Sequence, residues 1–184
     1  MERSEALKLL KEYNESDSLL KHAYSVEAVM RHFAKLKGED EDYWGVIGLL
    51  HDLDYEKYPE EHCVKTREIL AGENVDEEII RAIESHGYGI CTDVRPERYM
   101  EKVLYTIDEL TGLITATVLM RPDRSIHELG LKSVTKKFKT PKFAAGVNRE
   151  VILEGCRMID MELSEVIEET ISGMRSIASE LGFE

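Results

Sequence analysis

Apolar positions recur at intervals of three and four along nearly the whole chain, the spacing of one face of an α-helix; the period-two alternation of a half-buried strand is missing. Ser4 is placed to cap a first helix reaching about Glu12, and Ser16 or Asp17 a second. In that second helix Leu19, His22, Val26, Val29, Met30 and Phe33 share a face, so His22 projects from an otherwise apolar stripe. A third helix is expected from about Asp40 to Leu53, with His51-Asp52 near its C-terminal end. Pro59 suits the first turn of a fourth, Glu60 and Glu61 favour its positive end, and His62, Ile69 and Leu70 fall toward its inner side. Asp76 can cap a fifth, with Ile79, Ile80 and Ile83 inward and His86 at its exit, before Gly87 and Gly89 end it. A long helix over about 97–119 puts Asp108 in one stripe with Leu104, Thr111 and Thr115. Shorter elements follow Pro122, Asn148 is a candidate cap, and a last amphipathic helix starts at Ser164. The pattern predicts an all-α fold and one domain over residues 1–184, without repeats, low-complexity segments or a clear linker.

Composition narrows the class of protein. The 184 residues, 42% of them hydrophobic, suffice to bury a core. No stretch approaches the length of a membrane span, and the charged start Met1-Glu2-Arg3-Ser4-Glu5 lacks a signal-peptide core. Cys63, Cys91 and Cys156 are odd in number and lack metal-type spacing; they read as reduced thiols of a cytoplasmic protein, Cys63 lying beside His62 by an accident of helix packing. A formal charge of −13 argues against a broad nucleic-acid surface, though local cations can still attract a small phosphorylated molecule. Glutamine is absent while Glu, Lys and Arg abound, a bias shared with thermophile proteins.

The candidate chemistry centres on His51-Asp52, at the end of the apolar run Trp44-Gly45-Val46-Ile47-Gly48-Leu49-Leu50. Burying an unpaired carboxylate beside an imidazole is costly, and a divalent cation removes the cost. His22 lies upstream, His62 and His86 downstream, and Asp108 sits in a second apolar helix, where acids are rare unless paired. In this order the set resembles the HD superfamily of metal-dependent phosphohydrolases, defined by a His, a His-Asp pair and a distal Asp on a helical scaffold. His22-Ala23-Tyr24-Ser25-Val26 looks like that family's first helix, Gly48-Leu49-Leu50-His51-Asp52 like its hallmark, and the run Met100–Leu110 like its last metal helix. His62 and Ser85-His86-Gly87-Tyr88-Gly89 resemble the extra histidines of the two-metal HD-GYP cyclic-dinucleotide phosphodiesterases, and the latter stretch also resembles HD-type diadenosine tetraphosphate hydrolases. The resemblance covers about residues 19–115, leaving a helical extension over about 120–184. The lysine that often follows the His-Asp pair in HD-GYP proteins is replaced by Asp54-Tyr55, the stretch to His62 is short and the full HD-GYP signature is missing, departures that bear on the substrate more than on the metals.

The resemblance implies an HD-type helical bundle holding one or two divalent transition-metal ions (Mn, Fe, Co, Ni or Zn). His22, His51, Asp52 and Asp108 would take the first ion; Asp52, His62 and His86 would take a second. The implied activity is hydrolysis of a phosphomonoester or phosphodiester in a small phosphorylated substrate, nucleotides included, through a metal-activated hydroxide. Asp52 and His86 are expected at the reacting centre. Lys132 and Lys136 are expected there too, because the window 132–149 carries Lys132, Lys136, Lys137, Lys139, Lys142 and Arg149 with no acid between, a candidate rim for phosphate whose bland counterpart is a solvated helix face. Asp54 reads as a solvated loop acid, and His32 and His127 as fillers. The same ligand types serve di-iron oxygenases of this fold, and a non-catalytic metal- or nucleotide-binding module is a further alternative. Oligomeric state stays open.

Overall fold

The first helix starts two residues earlier than the serine signal suggests. In the computed structural model, which describes residues 1–184, α1 spans Arg3–Tyr13 with Glu2 as its N-cap; the Glu5 carboxylate accepts from the Glu2 N–H at 2.8 Å, and Ser4 lies inside the helix. Glu2 and Glu5 form a reciprocal box that satisfies donors the helix start would leave unpaired. Ser16 precedes α2 (Asp17–Lys37), which Gly38 ends in the left-handed conformation at φ 71°. The Asp40 carboxylate caps α3 (Glu41–Leu50) by accepting from the N–H groups of Asp42 and Tyr43.

Two boundaries differ from the periodic pattern, and both fall at the histidines. α3 stops at Leu50, and residues 51–57 continue as tight turns, so His51 is the residue that closes the helix. The helix expected from Pro59 is divided. Pro59–Glu61 form a single 3-10 turn, and α4 (Val64–Gly72) begins only after Cys63, whose φ is 69°. A non-glycine residue in that region carries strain, so His62 stands on a break rather than on a helix face. α5 (Glu77–Glu84), capped by Asp76, runs into a 3-10 turn at Ser85–Gly87 that carries His86. The rest is α6 (Tyr99–Leu119), α7 (Leu131–Phe138), α8 (Arg149–Ile159, capped by Asn148), α9 (Leu163–Arg175) and α10 (Ala178–Leu181). No strand forms; the one β-type contact is a bridge between Tyr88 and Thr92.

α2 lies at the centre, packed against α3, α6 and α9, while α6 also packs on α7 and α8. Val26, Val29, Met30, Ile47, Leu49, Leu50, Leu104 and Ile107 are fully buried between these helices. Each such side chain contributes about 1.5–3 kcal/mol by leaving water, which is why the amphipathic pattern alone predicts their positions. The α2–α3 approach is unusually close. A Cβ at Gly48 would lie 2.9 Å from the Met30 Cγ and 3.0 Å from the Val26 carbonyl oxygen, so only glycine lets α3 sit near enough to bring His51 to His22. No helix is long and apolar enough to cross a membrane.

Candidate metal centre

Six side chains from five segments converge. His22 comes from the middle of α2, His51 and Asp52 from the end of α3, His62 from the break before α4, His86 from the turn after α5, and Asp108 from the middle of α6. They divide into two sets that share Asp52. In the first, the His22 Nε2 lies 3.2 Å from the His51 Nε2, 2.9 Å from an Asp108 oxygen and 3.6 Å from the Asp52 Oδ2. The His51 Nε2 lies 3.3 Å from the same Asp52 oxygen and 3.4 Å from Asp108. In the second set the His62 Nε2 and His86 Nε2 are 3.1 Å apart, at 3.4 and 3.5 Å from the other Asp52 oxygen, Oδ1. The two oxygens of Asp52 thus serve different histidine sets.

The opposite ring nitrogens decide what those Nε2 atoms carry. The His51 Nδ1–H donates to the Gly48 carbonyl at 2.8 Å and the His86 Nδ1–H to the Ile83 carbonyl at 2.5 Å. The His62 Nδ1–H donates to Asp54 at 2.7 Å. These acceptors have no proton to give, so the Nδ1 atoms hold the protons and the neutral rings present lone pairs at Nε2. Lone pairs of His62 and His86 then face each other and a carboxylate across about 3 Å. Such a cluster requires positive charge at its centre, supplied by protons or by a metal ion. His51 accordingly lies well above the ordinary imidazole value: burial alone would lower it, and the Asp52 and Asp108 carboxylates override burial. His62 is raised as well, against its own burial, by the Asp54 hydrogen bond and the Asp52 charge. Asp52 is held well below the usual carboxylate range; burial opposes this, and the His51 charge with the hydrogen bonds of His51 and His86 outweighs it.

A proton joins two atoms, whereas each set here presents three or four convergent donors. Metal–nitrogen and metal–oxygen bonds of about 2.1 Å place neighbouring ligand atoms about 3.0–3.4 Å apart, close to the 2.9–3.6 Å separations observed. Imidazole with carboxylate suits a first-row divalent ion, so the donor set fits the expected cofactor. The Nδ1 contacts are the outer hydrogen bonds that orient histidine ligands in metal sites.

A model of the HD domain family matches residues 19–114, a stretch that begins on α2 ahead of His22 and ends on α6 beyond Asp108. The chain belongs to the HD domain family. Among curated proteins this HD protein is similar to a tRNA (cytidine(56)-2'-O)-methyltransferase of Picrophilus torridus, 28% identical over 149 residues that cover 71% of this chain and 44% of that enzyme. The chain therefore spans less than half the length of that relative. No solved structure matches the chain.

The cleft over the HD centre has a volume of about 280 Å³, and its walls include Tyr55, Ile90, Tyr105, Glu109, Gly146 and Val151. Glu109 is half-buried there; burial pushes its carboxyl up, the Asn148 N–H that it accepts opposes this, and the neighbouring Asp108 adds to it. Lys132 and Lys136 do not line the cleft: they are exposed on α7. Arg149 is turned to structural use, its guanidinium donating to the carbonyls of Phe138, Thr140, Phe143, Ala144 and Val147. Lys137 lies 4.3 Å over the Phe143 ring. This part of the basic window secures the loop that brings Gly146 to the cleft.

Asp54 is a correction. It is fully buried, with one oxygen on His62 and the other accepting from the Thr66 N–H at 2.8 Å, so it orients a ligand and caps the start of α4. The signal available in the sequence was an acid two residues after Asp52, flanking the apolar Leu53. Thr111 was placed on the Asp108 stripe, but its contact with the His22 Nδ1 at 3.4 Å needed the fold to appear. His32 pairs with Glu169 at 2.6 Å, away from the centre.

Proposed function

We propose that this HD protein is a metal-dependent phosphohydrolase acting on a small phosphorylated substrate, nucleotides included, in a cytoplasmic setting where its cysteines are thiols at rest. The observation that carries the reading is the division of Asp52 between two histidine sets, Oδ2 toward His22 and His51 and Oδ1 toward His62 and His86. Divalent ions held there would lower the pKa of bound water to about 7 and neutralise charge on phosphorus. The chain's own residues do the rest. Asp52 holds the two sets in register; Gly48, Ile83 and Asp54 keep the Nε2 atoms of His51, His86 and His62 aimed inward. Tyr55, Ile90, Tyr105 and Val151 offer apolar contact to the non-phosphate part, and Glu109 offers an acceptor for a hydroxyl or amino group. Neither lysine nor arginine lines the cleft, so phosphate charge would be met at the metal centre, which favours substrates with few phosphates.

The test is a screen of metal-reconstituted protein over phosphomonoesters, phosphodiesters and dinucleoside polyphosphates, with bound metal counted by elemental analysis. Turnover that disappears in Asp52→Ala supports the reading. Full metal occupancy without turnover on any phosphoester would overturn it in favour of a binding module, and oxygen consumption by the iron form would favour oxygenase chemistry. A second reading, service in tRNA modification, draws on the similarity to the Picrophilus torridus methyltransferase. The net charge of −13 opposes RNA binding, and tight tRNA binding at moderate salt would restore that reading.

A further inference from the structure

Cys63 and Cys91 are 28 positions apart in sequence, yet their Sγ atoms lie 2.9 Å from each other beside the second histidine set. Three independent features hold them there. Cys63 sits at φ 69°, a conformation that is strained for a non-glycine residue. Gly87 faces both sulfurs: a Cβ built on it would lie 2.3 Å from the Cys91 Sγ and 2.7 Å from the Cys63 Sγ, so any larger residue would drive the pair apart. The Cys91 segment is tightly tied, the N–H groups of Ile90, Cys91 and Thr92 all donating to the Gly87 carbonyl. Cys63 is buried, whereas Cys91 lines the metal cleft and is reached from it. Cys156 is on α8, apart from this pair.

We propose that Cys63 and Cys91 form a reversible oxidative-modification site, closed to a disulfide by a peroxide entering the metal cleft. The Cys91 sulfur attacks the peroxide O–O bond; an S–O bond forms, the O–O bond breaks, and one water leaves with the thiol proton, giving a sulfenic acid. The Cys63 sulfur then attacks the Cys91 sulfur; the S–S bond forms, the S–O bond breaks, and hydroxide leaves with the Cys63 proton as a second water. Two thiols are oxidised and one peroxide is reduced to two waters. A dithiol reductant reverses the reaction. Bonding draws the sulfurs together by roughly an ångström from their present contact. Cys63 adjoins His62, and Cys91 hangs from the turn that carries His86, so the movement falls on the second histidine set. Metal–ligand distances in well-formed sites lie within about 0.2 Å of their standard values, so a movement of this size would disturb an ion held there. His22, His51 and Asp108 stand on other elements. This consequence for the second ion rests on the metal-centre reading; the disulfide itself does not.

The test treats the protein as purified with hydrogen peroxide and maps unreduced peptides by mass spectrometry. The expected product has lost two hydrogen atoms, links the Cys63 and Cys91 peptides, and reverts with dithiothreitol. Cys91→Ser should abolish the link, and Cys156→Ser should leave it intact. Because wild-type protein gives the primary readout, a poorly folding variant does not blunt the test. Over-oxidation of Cys91 without a link, or a link through Cys156, overturns the proposal. Metal titration of the linked and reduced forms is expected to show the second ion at least tenfold weaker and the first unchanged. Equal second-ion affinity in the two forms would overturn the coupling to the metal centre while leaving the mapped disulfide to stand or fall on its own mass.

Discussion

The two halves of the metal centre are built differently. His22, His51 and Asp108 stand on or at the end of α2, α3 and α6, three helices packed mainly through fully buried apolar side chains, with one ion pair, Arg31–Asp42, at the exposed rim of α2 and α3. His62 and His86 stand on a helix break and a 3-10 turn, and the elements behind them are joined by ion pairs. Arg67 of α4 bonds Glu84 of α5 at 2.6 and 2.8 Å and Glu77 at 2.6 Å, and Arg81 of α5 bonds the buried Glu101 of α6. Apolar burial is non-directional and is not screened by salt, while ion pairs at a partly exposed edge weaken as salt rises. The contrast teaches that one constellation can combine a rigidly packed set of donor side chains with a yielding one, so that the second can respond to conditions without disturbing the first.

Asp52 belongs to both halves, so its removal should erase the difference between them. Asp52→Ala is expected to lose both ions and to lower any phosphohydrolase activity at least a thousandfold, about 4 kcal/mol in barrier. Elemental analysis and single-turnover rates check this; an Asp52→Ala protein that keeps both ions would break the comparison at its root.

The polar bond between α5 and α6 gives the next largest effect. Burial alone would raise Glu101, but the Arg81 hydrogen bond and the N–H groups of Glu97 and Arg98 hold its carboxyl below the usual range. A carboxylate with a depressed folded value contributes stability that is complete above its unfolded value and is lost as pH falls through the folded one. Glu101→Gln should therefore cost about 2–4 kcal/mol at pH 7. That cost should shrink on acidification below the unfolded value of about 4.3. Urea unfolding at several pH values reads this directly, and a cost that grows on acidification would show that Glu101 does not act through its charge.

Asp54→Asn sharpens the comparison, since Asp54 touches only the second set. The second ion should weaken by about ten- to a hundredfold while the first holds its affinity. Equal weakening of both ions in calorimetric titration would mean that the halves are not separable.

The smallest effect is expected outside both halves. Joint replacement of Lys132 and Lys136 by Ser should change kcat/KM by less than about twofold, 0.4 kcal/mol, because both point into solvent rather than into the cleft. A tenfold loss at low salt that fades with added salt would return these lysines to the substrate path.

The first half was legible before any fold was known. His22 lay on a three-four apolar stripe, Asp108 on another, and His51-Asp52 closed an apolar run, because helical periodicity reports which side chains must face inward; grouping them as ligands rested on the resemblance to the HD superfamily. The second half was only partly legible. His62 and His86 could be matched by resemblance, but the break at Cys63 opposes the helix that Pro59 announces, and no periodicity encodes a strained residue.

Amphipathic spacing and cap residues by themselves determined an all-α chain, most of its helix starts and the four donors on or beside helix faces, since these depend on neighbours within a turn or two. Tertiary structure decided which Asp52 oxygen meets which histidines, that Asp54 is buried rather than solvated, that Arg149 clamps a loop, that the lysines face away, and that Cys63 meets Cys91. Each of these depends on the direction of a side chain across elements far apart in sequence. Packing sets that direction, as where Gly48 admits α3 against α2.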